Sequence, residues 1–297
     1  MDRQTLEISY SPKPIKCTLS SPEITKKGKN SKNTAPPVAL IFTHGAGGTL
    51  SSDAIANFTS GFAVHAPILC FQGNMNLKSR VKMFGSVIED RHFSSCLGGR
   101  SMGARAAVMA ATDKTERLVL VSYPLHTPKE TRDEILLDLA QPLKVIFVVG
   151  SRDEMCDLGK LEAVRTRMKC KTWRVVVEET DHGMTVKPNR GTEAVGEMTG
   201  EVVAKWIDEC DEKKKEGRIT WNGEEGRAEW SGWSVSSADV VAPPPRESET
   251  SGQNTEDALT NTPEHSRRSK PKRVKSAGEK APDEEAVSGR ARKRMKR

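Results

Sequence analysis

The chain is predicted to be an α/β protein with a mostly parallel, doubly wound sheet. Three observations predict it. Short continuous apolar runs, such as Val145-Ile146-Phe147-Val148-Val149, read as strands buried on both faces. Between them lie segments with apolar residues at helical spacing, as at 77, 81, 84, 87 and 88. The short motifs that could carry chemistry follow directly on strands, and open α/β sheets place their sites beyond the carboxyl ends of strands.

Taken in order, residues 5–10 and 15–19 alternate weakly and read as two half-exposed strands joined by a Ser-Pro-Lys-Pro turn. Residues 21–37, rich in Ser, Lys, Asn and Pro, read as a solvated loop. Residues 38–42 form an apolar run, the mark of a central parallel strand, and Thr43-His44-Gly45-Ala46-Gly47-Gly48 follows it. A helix is expected over 50–60, a strand over 62–71 and a helix over 76–91. A short apolar run at 93–97 then leads into Gly98-Gly99-Arg100-Ser101-Met102-Gly103-Ala104-Arg105 and a helix over 101–112. Beyond it are a strand at 118–121 running into Ser122-Tyr123-Pro124-Leu125-His126, a short helix at 131–139 and the strand at 145–149. A helix at 156–168, a last strand at 173–177 and a closing helix at 192–209 complete the series. That helix places Val195, Met198, Val202, Val203 and Trp206 on one face.

Composition changes after Cys210, so one folded domain is expected over 1–210 and a largely disordered, basic tail over 211–297. Trp221, Trp230 and Trp233 are the tail's main apolar content and read as a loosely attached extension. The last 37 residues hold 13 basic and 5 acidic side chains, a net of +8 against +7 for the whole chain. The folded part is therefore close to neutral and gives no electrostatic reason to expect nucleic-acid binding there. Basic clusters at 267–275 and 290–297 are candidates for import-receptor or polyanion binding, and they place the chain in the nucleus as well as the cytoplasm. The six cysteines show no Cys-x-x-Cys pair and no metal-ligand spacing with His, so neither a metal nor a cofactor is expected. The first residues lack the apolar core of a signal peptide, and no run of about 18 apolar residues is present, so no membrane partner is expected.

Gly99-Arg100-Ser101-Met102-Gly103, set between a strand and a helix, has the form of the nucleophile elbow of α/β-hydrolases. The serine there is held in a strained turn, and a Cβ on the flanking residues would meet adjacent backbone. In that fold the acid and then the histidine follow the serine along the chain. Asp153 follows the strand at 145–149, with Glu154 and Asp157 as rivals for the acid, and His182 follows the strand at 173–177. His182 is expected to take the Ser101 proton, with Asp153 fixing its tautomer. The backbone N–H of Met102, with one from Gly45 or Ala46, is expected to hold an oxyanion. His44 is read as shaping that turn and His126 as lining the pocket. Arg100, beside the nucleophile, either draws in an anionic substrate or pairs within the scaffold. About 23 residues separate Ser122 from Val145, which leaves no room for a large cap, so a shallow, open site is expected.

Five motifs in order resemble one family: residues 44–48, 98–105, 122–126, 151–153 and 181–182. They are similar to the hydrolase-like family of testis-expressed protein thirty, which also includes the third subunit of the nuclear NSL histone acetyltransferase complex. Dienelactone hydrolases are more distant relatives. The resemblance covers about 35–210 and implies the α/β-hydrolase fold without a large cap. Ala104 stands where that family often has a second glycine. Two readings follow. One is a serine hydrolase of an ester, thioester or amide bond in a small molecule. The other is a hydrolase fold kept as a scaffold or subunit in a nuclear, chromatin-associated complex. A nucleic-acid-binding protein, resting on the tail alone, is a third.

Overall fold

The computed structural model describes residues 1–23, 38–187 and 189–235. Residues 24–37 of the expected loop, and 236–297 with both basic clusters, lie outside the described residues.

Among the described residues ten strands form one sheet. In chain order the elements are β1 (Asp2–Ile8), β2 (Ile15–Ser21), β3 (Leu40–Thr43), α1 (Asp53–Ala63), β4 (Ile68–Phe71), α2 (Leu77–Arg91), β5 (Cys96–Arg100) and α3 (Met102–Ala110). There follow β6 (Arg117–Val121), α4 (Glu134–Leu137), β7 (Lys144–Gly150), α5 (Leu158–Arg165), β8 (Lys171–Val177), α6 (Thr192–Asp208), β9 (Glu216–Asn222) and β10 (Arg227–Trp230). The strand order is β1-β2-β4-β3-β5-β6-β7-β8-β9-β10. Every pairing from β4 to β9 is parallel, and antiparallel strands close both edges.

The central strands are mostly apolar because helices cover both faces. Side chains alternate between two cores. Ile41, Leu97, Leu118, Leu120 and Phe147 face α2, α3 and α5. Leu40, Phe42, Val119, Ile146 and Val148 face α1 and α6. Trp173 of β8 and Trp206 of α6 are fully buried, edge to face at 5.5 Å. Such a pair is worth about 0.5–1.5 kcal/mol beyond its burial.

Helices α1 and α6 meet backbone to backbone. A Cβ on Gly200 would collide with the Phe58 carbonyl and the Phe62 N–H, and one on Gly61 with the Glu197 backbone. Backbone cannot step aside as a side-chain tip can. Gly200→Ala is therefore expected to lower unfolding free energy by about 1–3 kcal/mol, despite alanine's better helix propensity. A fall in Tm on thermal unfolding checks this, and an unchanged or higher Tm contradicts it.

Beyond shifts of a few residues at element ends, three boundaries differ from the sequence reading. Phe62 and Ala63 belong to α1, not to a strand, because they extend the buried stripe of Ile55 and Phe58. The elbow strand starts at Cys96, not at 93, because α2 ends in a left-handed turn at His92 (φ 51°). The strand at 173–177 is not the last, and the fold does not stop at 210. After α6 the chain adds β9 parallel to β8 and turns back as β10. This hairpin was hidden because it packs on one face only. Ile219 is fully buried and Trp221 and Trp230 partly so, while Arg218, Glu224 and Glu225 stay exposed. Glu216 fastens it by pairing with Arg165 of α5 and Arg174 of β8.

Candidate active site

Ser101 sits between β5 and α3 with φ 53° and ψ −117°, a conformation that L residues rarely adopt. Its N–H donates to the Val121 carbonyl at 2.9 Å, which fixes the turn to β6. The turn is possible because Gly99 and Gly103 touch. A Cβ on Gly99 would strike the Gly103 backbone, and one on Gly103 the Thr43 and His44 carbonyls. The Ser101 hydroxyl makes no helix-capping bond. It lies instead 2.9 Å from His182 Nε2.

His182 follows β8 in a tight turn. Asp181 Oδ1 accepts from the N–H groups of Gly183 (2.7 Å) and Thr185 (3.1 Å), so its carboxylate holds the turn. The Arg100 guanidinium donates to the His182 carbonyl from below. His182 Nδ1 lies 2.9 Å from both Asp153 carboxylate oxygens. Asp153 stands three residues past β7, its side chain fully buried, with Oδ1 also accepting from Met155 N–H at 2.8 Å. The acid and histidine loops are tied directly, since Arg152 N–H donates to the Thr180 carbonyl at 2.9 Å. Of the rival acids, Glu154 is exposed and Asp157 caps α5, accepting from Lys160 N–H at 2.8 Å. A hydroxyl, an imidazole and a buried carboxylate thus stand in line, which suits proton transfer away from the hydroxyl.

Gly45 packs against this line. A Cβ built on it would lie 3.3 Å from Ser101 Cβ. Among the described residues none accepts from the backbone N–H of Gly45 or Ala46. Met102 is the first residue of α3, so its N–H also has no partner within the helix. His44 shapes the turn. Gly73 N–H donates to its Nε2 at 3.0 Å, so the proton is on Nδ1, which donates to the Gly45 carbonyl at 2.7 Å.

Burial and the neighbouring Arg80 charge hold the His44 pKa below its ordinary 6.5. A group that binds its proton more weakly when folded favours the unfolded chain as pH falls. Stability is therefore expected to drop as pH falls below about 6.5, by at most about 1.4 kcal/mol per pH unit from this group. His44→Gln is expected to flatten that slope in denaturation curves at pH 7 and pH 5, and an unchanged slope assigns it elsewhere.

Two expected site residues serve the scaffold. Arg100 spends its charge on the His182 loop. Burial lowers its pKa, and the Asp153 and Asp181 charges oppose that. His126 braces the acid loop, its N–H donating to the Met155 carbonyl (3.0 Å) and its Nε2 accepting from Asp157 N–H (3.1 Å). It lines a cavity of about 450 Å³ with Arg152, Asp153 and Lys160. Sequence reasoning missed Arg80, although its place on the α2 stripe, between Leu77 and Phe84, was a signal. Five of the six cysteines are buried, and the one beside the site, Cys156, offers no rival nucleophile. Burial raises Cys156, beside Asp153, to about 12, and Cys17 and Cys96 likewise. No cluster fit to hold a metal ion is present among the described residues, and none of their helices is long and apolar enough to cross a membrane.

Residues 74–209 match a family model described as an alpha/beta hydrolase domain. The structure is similar to Est1E from Butyrivibrio proteoclasticus, at TM-score 0.52 and 15% identity over 69% of this chain and 99% of that one. It is also similar to a dienelactone hydrolase from Anabaena variabilis, at TM-score 0.51 and 14% identity over 70% and 97%. An alpha-beta serine hydrolase homologue from Coxiella burnetii matches at TM-score 0.51 and 14% identity over 68% and 97%. At such identities the likeness is one of fold, and the fold is that of the α/β-hydrolases.

Proposed function

We propose that the protein is a serine hydrolase of ester, thioester or amide bonds in small molecules, with Ser101 as nucleophile. One observation carries this reading: the His182 ring bridges Ser101 Oγ and the buried Asp153 carboxylate at 2.9 Å on each side. In the first step Ser101 Oγ bonds to the substrate carbonyl carbon and its proton passes to His182 Nε2. The carbonyl electrons move onto oxygen, which the Met102 N–H and the Gly45 or Ala46 N–H receive. Asp153 keeps the Nδ1 proton in place and balances the imidazolium charge. The oxyanion then collapses, the bond to the leaving group breaks, and His182 returns the proton to that group. Water repeats the sequence on the acyl-enzyme, giving its proton to His182 and restoring the serine hydroxyl. The family match over 74–209 and the esterase-type fold neighbours support the class of reaction. No long insertion separates β6 from β7, which suits small, accessible substrates.

Labelling with a fluorophosphonate probe tests the reading. Wild type is expected to be labelled in a manner that needs Ser101 and His182 and is lost on heating. A folded wild type that resists the probe removes the hydrolase reading and favours the scaffold alternative. That alternative rests on the family resemblance and, like residence in nucleus and cytoplasm, on the basic clusters at 267–275 and 290–297. Fusion of residues 261–297 to a fluorescent reporter tests the localisation: nuclear accumulation supports it and uniform distribution counts against it.

A further inference from the structure

Arg80 is fully buried in the first turn of α2, on a stripe shared with Met83, Phe84 and Val87. A buried guanidinium is costly, and an apolar side chain would serve packing at least as well. Burial pushes its pKa down to about 10, yet at neutral pH it stays charged. Its donors go to backbone carbonyls. Nη1 donates to His44 and, at 3.4 Å, to Gly45. Nε donates to Asn74 at 3.1 Å, and Nη2 shares that acceptor. The Gly45 carbonyl is held a second time by His44 Nδ1.

A trans peptide points its C=O and its N–H in opposite directions. The His44 and Gly45 carbonyls face the buried guanidinium, so the N–H groups of Gly45 and Ala46 face away from it. Gly45 is buried with Ser101 beside its Cα, and Ala46 is exposed. A carbonyl bonded to a cation also polarises its peptide and strengthens the N–H as a donor.

We propose that Arg80 is the positioning residue of the oxyanion turn, clamping the His44 and Gly45 carbonyls so that the Gly45 and Ala46 N–H groups are preset for the developing oxyanion. The inference rests on the serine-hydrolase reading. Arg80 touches no substrate and acts through the turn. It should matter more to the tetrahedral state than to substrate binding, because the charge on oxygen grows only as the carbonyl is attacked.

The test compares wild type, Arg80→Gln, Arg80→Lys and Arg165→Gln, each as the full chain. Arg165 is a buried arginine of the α5 ion-pair network with no contact to the oxyanion turn, so it controls for loss of stability alone. The probes are a short-chain p-nitrophenyl ester and a short-chain trifluoromethyl ketone, which forms a tetrahedral adduct with an active serine. Arg80→Gln is expected to lower kcat by about 10²-fold with KM changed less than about threefold, and to weaken the ketone by a factor similar to the kcat loss. Arg80→Lys, which keeps the charge but loses the fork, is expected to fall between. Arg165→Gln is expected to lower Tm and leave kcat and ketone affinity near wild type. The inference is overturned if Arg80→Gln, or Arg80→Lys where Arg80→Gln does not fold, matches Arg165→Gln in kcat and ketone affinity. It falls alone when wild type turns over and these variants do too. It falls together with the hydrolase reading when folded wild type neither turns over nor takes the fluorophosphonate.

Discussion

Ser101→Ala is expected to lower kcat/KM for a short-chain ester by about 10⁴–10⁶-fold while leaving the protein folded. Among the described residues the hydroxyl's one side-chain partner is His182, so its loss removes no packing and leaves no buried donor stranded. The elbow itself is held by backbone, through the bond to Val121 and the contact between Gly99 and Gly103. Tm is thus expected to stay within about 2 °C of wild type, since the deleted oxygen is only partly buried. Purified variants compared by steady-state kinetics and thermal melting decide the matter. Retention of more than about a tenth of the activity would place the chemistry on another residue, because a nucleophile cannot be dispensed with in a two-step transfer.

The second large effect belongs to Asp153. Asp153→Asn is expected to cost about 10⁴-fold in kcat, because an amide neither fixes the Nδ1–H tautomer nor balances an imidazolium. The substitution is nearly isosteric, and the amide oxygen can still accept from Met155 N–H. Controls come from the same loop. Glu154→Gln alters an exposed side chain, and Asp157→Asn keeps the α5 cap, so both are expected to stay within about threefold of wild type. A loss confined to Asp153→Asn fixes the acid, and a comparable loss in Asp157→Asn would move it.

Much of this site was legible because α/β sheets couple chain order to position. Parallel strands bring successive carboxyl ends to one edge of the sheet, so the motif after each run arrives at a shared place whatever the helices between do. Ser101, Asp153 and His182 were findable on that rule, and so was the turn at Gly45 and Ala46. What was not legible depends on partners far along the chain. The sequence leaves Arg100 with two uses, an anionic substrate or a scaffold partner, and says nothing of Arg80. Only the fold sends one to the His182 carbonyl and the other beneath His44. Phe62 was ambiguous because an apolar pair fits a strand start as well as the last turn of a helix, and α6 decides it by packing on α1. β9 is not legible because a strand with charges on its open face has the composition of a linker.

The β9 and β10 hairpin also bears on how the protein should be handled. Cutting the chain at residue 210, where composition changes, would strip β9 from β8 and leave the Val175-Val176-Val177 backbone with unpaired donors and acceptors along a flat apolar margin. Such a margin templates the addition of strands from other molecules. In the intact fold the outermost strands are β1 and β10, and both discourage this. β1 carries Asp2, Arg3 and Glu7, while β10 has four residues with Arg227 and Glu229 among them. The tryptophan hairpin is thus a selvedge to the sheet, and a fragment ending at 210 would be expected to self-associate and precipitate where one ending at 235 remains dispersed.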